Sequence, residues 1–170
     1  MASFTNQQVI QSIKNGEDEI LFYLTKKYFN SARRWLRRSG CRDSETPAIF
    51  GRVIVNVFGE IQRNNISTNV DFEQFFNNSL HEYFKIHKTE DPKERDLNTS
   101  EEKEIIRSCF SILDENSRRI LAARYSEKLS FEQIAARMDF SNPVIAQFEF
   151  NKAFLQFEKI SRARLNVASE

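Results

Sequence analysis

The chain has 170 residues, 40% of them hydrophobic with 16 Phe, and a formal net charge of +1. That is material for one medium domain or two small ones with packed cores, and it excludes a generally basic nucleic-acid coat. Only four Gly and three Pro leave little for turns, so the expected fold is all-α, with long helices and short loops.

No apolar run approaches membrane-spanning length, and the opening MASFTNQQVI lacks the regions of a signal peptide. The expected compartment is therefore the cytoplasm, with no membrane partner. Cys41 and Cys109 fit no zinc spacing, and His81 and His87 do not share a helix face, so no metal or cofactor is expected. No paired carboxylates, nucleophile with a base, or phosphate loop stands in a credible context, so the chain does not read as an enzyme.

In chain order, Gln7 to Lys14 predicts a short amphipathic helix stopped by Asn15 and Gly16. From Asp18 to Arg38, Leu21, Leu24, Tyr28 and Trp35 trace an apolar stripe that ends at Ser39 and Gly40. Seven cations and no acid lie between Lys26 and Arg42, and Arg33, Arg34, Arg37 and Arg38 form a candidate patch for a polyanion or acidic partner. A solvated helix face is the competing reading.

Thr46 and Pro47 open a third helix to about Gln62, with Phe50, Ile54, Val57 and Ile61 on its apolar face. The polar stretch 63–71 then leads to a fourth helix carrying Phe72, Phe76, Leu80 and Tyr83. These four helices make a first domain, residues 1–88. Residues 89–104 have the mixed charge and proline of a flexible linker, and residues 105–170 form a second domain. Its first helices are marked by Ile106, Phe110 and Leu113, and by Ser117 to Tyr125.

The last two helices read as a helix-turn-helix. Ser130 and Gln133 have capping-box spacing, and Phe131, Ile134, Ala135 and Met138 fall on one face. Asp139, Phe140 and Ser141 make a short turn, and Asn142 before Pro143 starts a second helix. In that motif the second helix enters the major groove. Here, between Asn142 and Ile160, Lys152 and Lys159 are offset by Glu149 and Glu158. A neutral reading helix gains little from phosphates and should bind duplex weakly. Its apolar residues fall in two arcs, Val144, Phe148 and Leu155 against Phe150, Phe154 and Phe157. One arc packs on the preceding helix, and the other implies either more core or a partner surface.

The stretch LDENSRRILAARYSEKLSFEQIAARMDFS resembles the C-terminal promoter-reading domain of extracytoplasmic-function sigma factors, through Leu113, Arg118, Arg124, Tyr125, Leu129, Ser130, Ile134, Ala135 and Ser141. QQVIQSIKNGEDEILFYLTKKYF looks like the opening helices of that family, and DFEQFFNNSLHEYF is similar to its downstream-element helix. The resemblance covers nearly the whole chain.

It implies a transcription initiation factor that performs no chemistry. The N-terminal domain would dock on the β′ clamp of core RNA polymerase and capture melted minus-10 bases, and the C-terminal domain would sit near the β flap and read the minus-35 element. Promoter DNA and core polymerase are the implied partners, with an anti-sigma factor as a further one. Strand capture needs polar groups, a place for an unstacked base and cations; Arg63, Asn64, Asn65, Asn77, Asn78, His81 and Lys85 are the candidates.

The chain departs from the family where function would be read. The clamp-binding helix typically carries an acid and a glutamine–acid pair, where this sequence has Ala48, Gly51 and Arg52. Clamp contact is then expected from Phe50, Arg52, Val53 and Asn56. Recognition-helix positions commonly basic in the family are Ala146, Gln147, Glu149 and Phe150 here. The candidate minus-35 or partner surface is Asn142, Gln147, Phe150, Asn151, Lys152, Phe154 and Phe157. The leading expectation is a sigma factor whose minus-35 reading is weakened and partly delegated to a recruiting DNA-targeting protein or activator. The alternatives are an autonomous sigma factor using Gln147, Asn151 and Lys152, and a sigma-derived adaptor that does not support initiation.

Overall fold

The computed structural model describes residues 4–63, 66–89 and 100–167, and within these it is all-helical, with eight α-helices. Contacts divide the chain into two compact units, residues 1–90 and 91–170.

The first unit holds α1 (Asn6–Asn15), α2 (Asp18–Arg38), α3 (Thr46–Arg63) and α4 (Phe72–Thr89). A capping box starts α1: the Gln8 amide donates to the Thr5 hydroxyl, and the Thr5 amide donates to the Gln8 side chain. Gly16 ends it in the left-handed region, φ 71°, with its N–H on the Ile13 carbonyl. Asp18 and Glu19 at the start of α2 and Arg37 and Arg38 at its end complement the helix dipole.

Aromatic rings knit this core. Phe72 and Phe76 are fully buried, and the Tyr28 ring lies 5.8 and 5.5 Å from them. Phe50 meets Phe76 at 5.6 Å and Phe29 at 5.2 Å, both edge-on, the geometry favoured by ring quadrupoles. The apolar faces expected of the second, third and fourth helices are the ones that pack.

The second unit holds α5 (Ser100–Ile112), α6 (Glu115–Tyr125), α7 (Phe131–Arg137) and α8 (Pro143–Val167). Residues 100–104, expected in the linker, are helical and belong to α5, and Thr89 belongs to α4. The remainder of the expected linker lies outside the described residues. Its SEEKE segment is polar enough for a linker, yet Glu and Lys are also good helix formers.

Asp114 caps α6 by accepting from the Ser117 amide at 2.9 Å and hydroxyl at 2.6 Å. These bonds hold its carboxyl below the ordinary Asp range, the hydroxyl bond most strongly. The capping box at Ser130 and Gln133 forms as the spacing predicts. Beyond α7, Asp139 takes the left-handed conformation, φ 57°, which a short polar side chain tolerates best after glycine. Asn142 then accepts from the Val144 and Ile145 amides at 2.9 and 3.1 Å, capping α8. Three short helices thus pack along the one long α8.

Candidate nucleic-acid and polymerase surfaces

On α8, the core-facing side carries Ala146, Ala153 and the rings of Phe150, Phe154 and Phe157. Phe150 lies 5.7 Å from Tyr125, 5.6 Å from Phe131 and 6.1 Å from Phe154, while Phe157 meets Phe110 at 6.4 Å. Their own unit therefore covers part of each ring, in line with the core alternative, while all three stay partly accessible: α5, α6 and α7 together reach an arc that a single preceding helix would leave open.

The same placement changes the family comparison. Ala146 is fully buried and Phe150 half-buried, so their lack of charge reflects packing. Asn151 is only 3% exposed, and its side-chain N–H donates to the Gln147 carbonyl at 2.8 Å, so it is not free to read a base as expected. A polar side chain bonded back to the preceding turn satisfies itself within the helix. Gln147 and Glu149 are partly accessible and Lys152 is exposed. The Lys152 ammonium pairs with the Glu149 carboxylate at 3.4 Å, and Arg162 pairs with Glu158 at 3.1 Å. With Lys159 also exposed, the stretch from Glu149 to Arg162 carries three cations against two acids, a local charge of +1.

On α3, Phe50 and Val53 are 4% and 1% exposed, packed into the unit's core. This corrects their assignment to a polymerase contact: Phe50 lies on the apolar stripe that makes the helix pack, and the same side chain cannot serve both faces. Ala48 and Asn56 are exposed and Arg52 partly so, and these lie at i, i+8 and i+4 on the accessible face. The Arg52 guanidinium donates to the Tyr83 hydroxyl at 3.2 Å, and the Tyr83 ring lies 4.1 Å from His87.

Of the strand-capture candidates, Asn77, Asn78, His81 and Lys85 share one face of α4, with Asn77 partly accessible and the other three exposed. They span about 12 Å of helix at 1.5 Å per residue. Arg63 is exposed at the end of α3, its Nε–H on the Gly59 carbonyl at 3.0 Å. Asn64 and Asn65 lie outside the described residues.

The cationic run on α2 is partly neutralised by acids just beyond it. Asp43 takes Arg33 at 3.1 Å and Arg37 at 3.5 Å, and Glu45 takes Arg42 at 3.0 Å. The Arg33 hydrogen bond holds the Asp43 carboxyl below its usual range. Lys27 sits over the Tyr28 ring at 5.0 Å. Among the described residues, no acid pairs with Lys26, Arg34 or Arg38. Next to the run, burial pushes the Cys41 thiol up, and the neighbouring Glu45 carboxylate adds to the shift, opposite to a reactive thiolate.

Sequence reasoning missed one feature here. The Trp35 indole from α2 and the His81 imidazole from α4 stack, centroids 4.1 Å apart and planes within 21°. Phe84 closes on Trp35 edge-to-face at 5.5 Å. Trp35 reads as the end of a core stripe and His81 as a strand-capture candidate on another helix, so only the packing of α4 against α2 brings them together.

Among the described residues, no helix is long and apolar enough to cross a membrane. Compared with known proteins, the chain matches no family model and no curated sequence.

Proposed function

We propose that this chain is a transcription initiation factor of the sigma type: it binds core RNA polymerase, helps open promoter DNA, and relies on a recruiting DNA-targeting protein or activator for much of its promoter location. The observation that carries this reading is the resemblance at both ends of the sequence to one family, falling on two separate helical units. Capped helices α7 and α8, joined through a left-handed Asp139, are compatible with a helix-turn-helix reader.

The weakened minus-35 reading rests on charge. Two of the four positions compared with basic family residues face the core, and the cation that remains near them pairs with Glu149. With Lys152 and Arg162 each held by a carboxylate, the helix releases few counterions, and duplex affinity stays low. The recruiting partner would contact surface other than the Phe150, Phe154 and Phe157 arc.

Association with core enzyme is the first test. Purified full-length chain mixed with core RNA polymerase is expected to co-elute as a stoichiometric complex on size exclusion. Absence of a complex at micromolar concentrations would reject the initiation-factor reading and favour the adaptor.

A further inference from the structure

We propose that Asn15–Gly16 is a self-modifying site, at which Asn15 deamidates through a succinimide when the last turn of α1 opens, and that the product is a one-way covalent change in how α1 packs on the first unit.

The chemistry follows from the pair itself. Asn15 is the only asparagine in the chain followed by glycine. With no Cβ to crowd it, the Gly16 backbone nitrogen reaches the Asn15 side-chain carbon more easily than the nitrogen of a bulkier residue would. The nitrogen gives its proton to water or hydroxide and bonds to Cγ, while Nδ2 takes up a proton and leaves as ammonia. Water then opens the succinimide ring at one of its two carbonyls. Opening at one leaves an aspartyl side chain on the normal main chain. Opening at the other routes the main chain through Cβ, an isoaspartyl linkage one atom longer.

The fold holds the reacting groups apart. Asn15 is the last residue of α1, and a helical Cα–Cβ bond leans towards the helix N-terminus, away from Gly16. Its Oδ1 accepts from Gln11 Nε2 at 2.9 Å, and its Nδ2 donates to Glu17 Oε1 at 2.9 Å. The Gly16 N–H donates to the Ile13 carbonyl at 3.1 Å, and the Glu17 N–H closes the turn on the Ser12 carbonyl at 3.0 Å. Gln62 of α3, 49 residues away along the chain, donates to that same Ile13 carbonyl at 3.0 Å. The turn that must open is therefore tied to a second helix. Asn15, Gly16 and Glu17 are all exposed, so water meets the pair as soon as the turn opens, and helix ends open at the lowest cost.

The product does not fit the turn it came from. A carboxylate at position 15 has no N–H for Glu17 and sets like charge against it, next to Asp18 and Glu19. It also adds negative charge at the C-terminal end of α1, where the helix dipole disfavours it. In the isoaspartyl form the added main-chain atom shifts the spacing of the Gly16–Ile13 and Glu17–Ser12 bonds. Because α1 buries Val9, Ile10 and Ile13, the change is felt in the core of the first unit.

Full-length chain is incubated at mildly alkaline pH in heavy-oxygen water, folded or in urea, and conversion at each asparagine is followed by peptide mass spectrometry. In urea, position 15 is expected to convert ahead of every other asparagine. In the folded chain it should be slower by about tenfold or more, an opening free energy of at least about 1.4 kcal/mol. Gln62→Ala removes the tie to α3 and is expected to speed the folded-state reaction about fivefold, with the rate in urea unchanged. Asn15→Asp, the aspartyl product made directly, should lower the denaturant midpoint of Trp35 fluorescence. Circular dichroism checks that the variants fold.

Another asparagine converting first in urea would overturn the assignment of the site. Equal rates in the folded and unfolded chain, or no acceleration by Gln62→Ala, would overturn the gating by α1. An unchanged midpoint in Asn15→Asp would overturn the effect on packing.

Discussion

At the scale of single residues, the most consequential assignments concern side chains whose burial decides what they can touch. Phe76 is fully buried between the Tyr28, Phe50 and Phe72 rings. Phe76→Ala removes that shared contact, and we expect a loss of about 3–5 kcal/mol in the first unit, read as a lower denaturant midpoint for Trp35 fluorescence. In the second unit, Ser130→Ala deletes one half of the α7 capping box and should cost about 1 kcal/mol. Because the sole tryptophan lies in the first unit, the Ser130→Ala loss should appear in the far-ultraviolet dichroism and leave the Trp35 transition in place. Asp114 links the same unit to pH. Its carboxyl is lowered by the Ser117 bonds, so its contribution is present above the ordinary Asp value and declines as pH falls through the folded-state value. Asp114→Asn is expected to make unit-two stability less dependent on pH below about 4, the ordinary Asp range. An acid limb as steep as in the parent would show that the cap is not the titrating group.

At the scale of elements, helix periodicity was sufficient to locate most of the architecture, because each helix buries one face and its apolar spacing records which. α2 spans the expected Asp18–Arg38, and the capping box at Ser130 and the Asn142–Pro143 start of α8 form as their spacing implies. Helix starts set by less obvious caps were less legible. Thr5 with Gln8 begins α1 one residue early, and Asp114 begins α6 ahead of the expected Ser117. The candidate surfaces were read less well than the helices. Phe50 and Asn151 have residue types suited to contact, but burial depends on neighbouring elements that a single helical wheel does not contain. The ion pair within α8 has a direct consequence. Glu149→Lys removes the counterion of Lys152 and adds a cation, so duplex binding should tighten, with a salt slope steeper by about 0.9–1.8, one to two phosphates. If Glu149→Lys changes neither affinity nor slope, α8 does not approach DNA.

At the scale of the whole molecule, two helical units carry different kinds of surface. The first combines an aromatic stack with two exposed arginines, Arg34 and Arg38, that pair with no acid among the described residues; the second presents a long helix whose rings pack partly on its own core and on which Lys152 and Arg162 are held by Glu149 and Glu158. Under the proposed initiation role, the first unit holds an opened strand and the second depends on another factor to find a duplex site. Promoter-library transcription with purified core polymerase separates this division of labour from autonomous promoter reading. Initiation is expected to require this chain, to depend on sequence near the start site, to be nearly indifferent to the minus-35 region and to rise when a recruiting factor is supplied. Strong helper-free initiation governed by a defined minus-35 motif would contradict it.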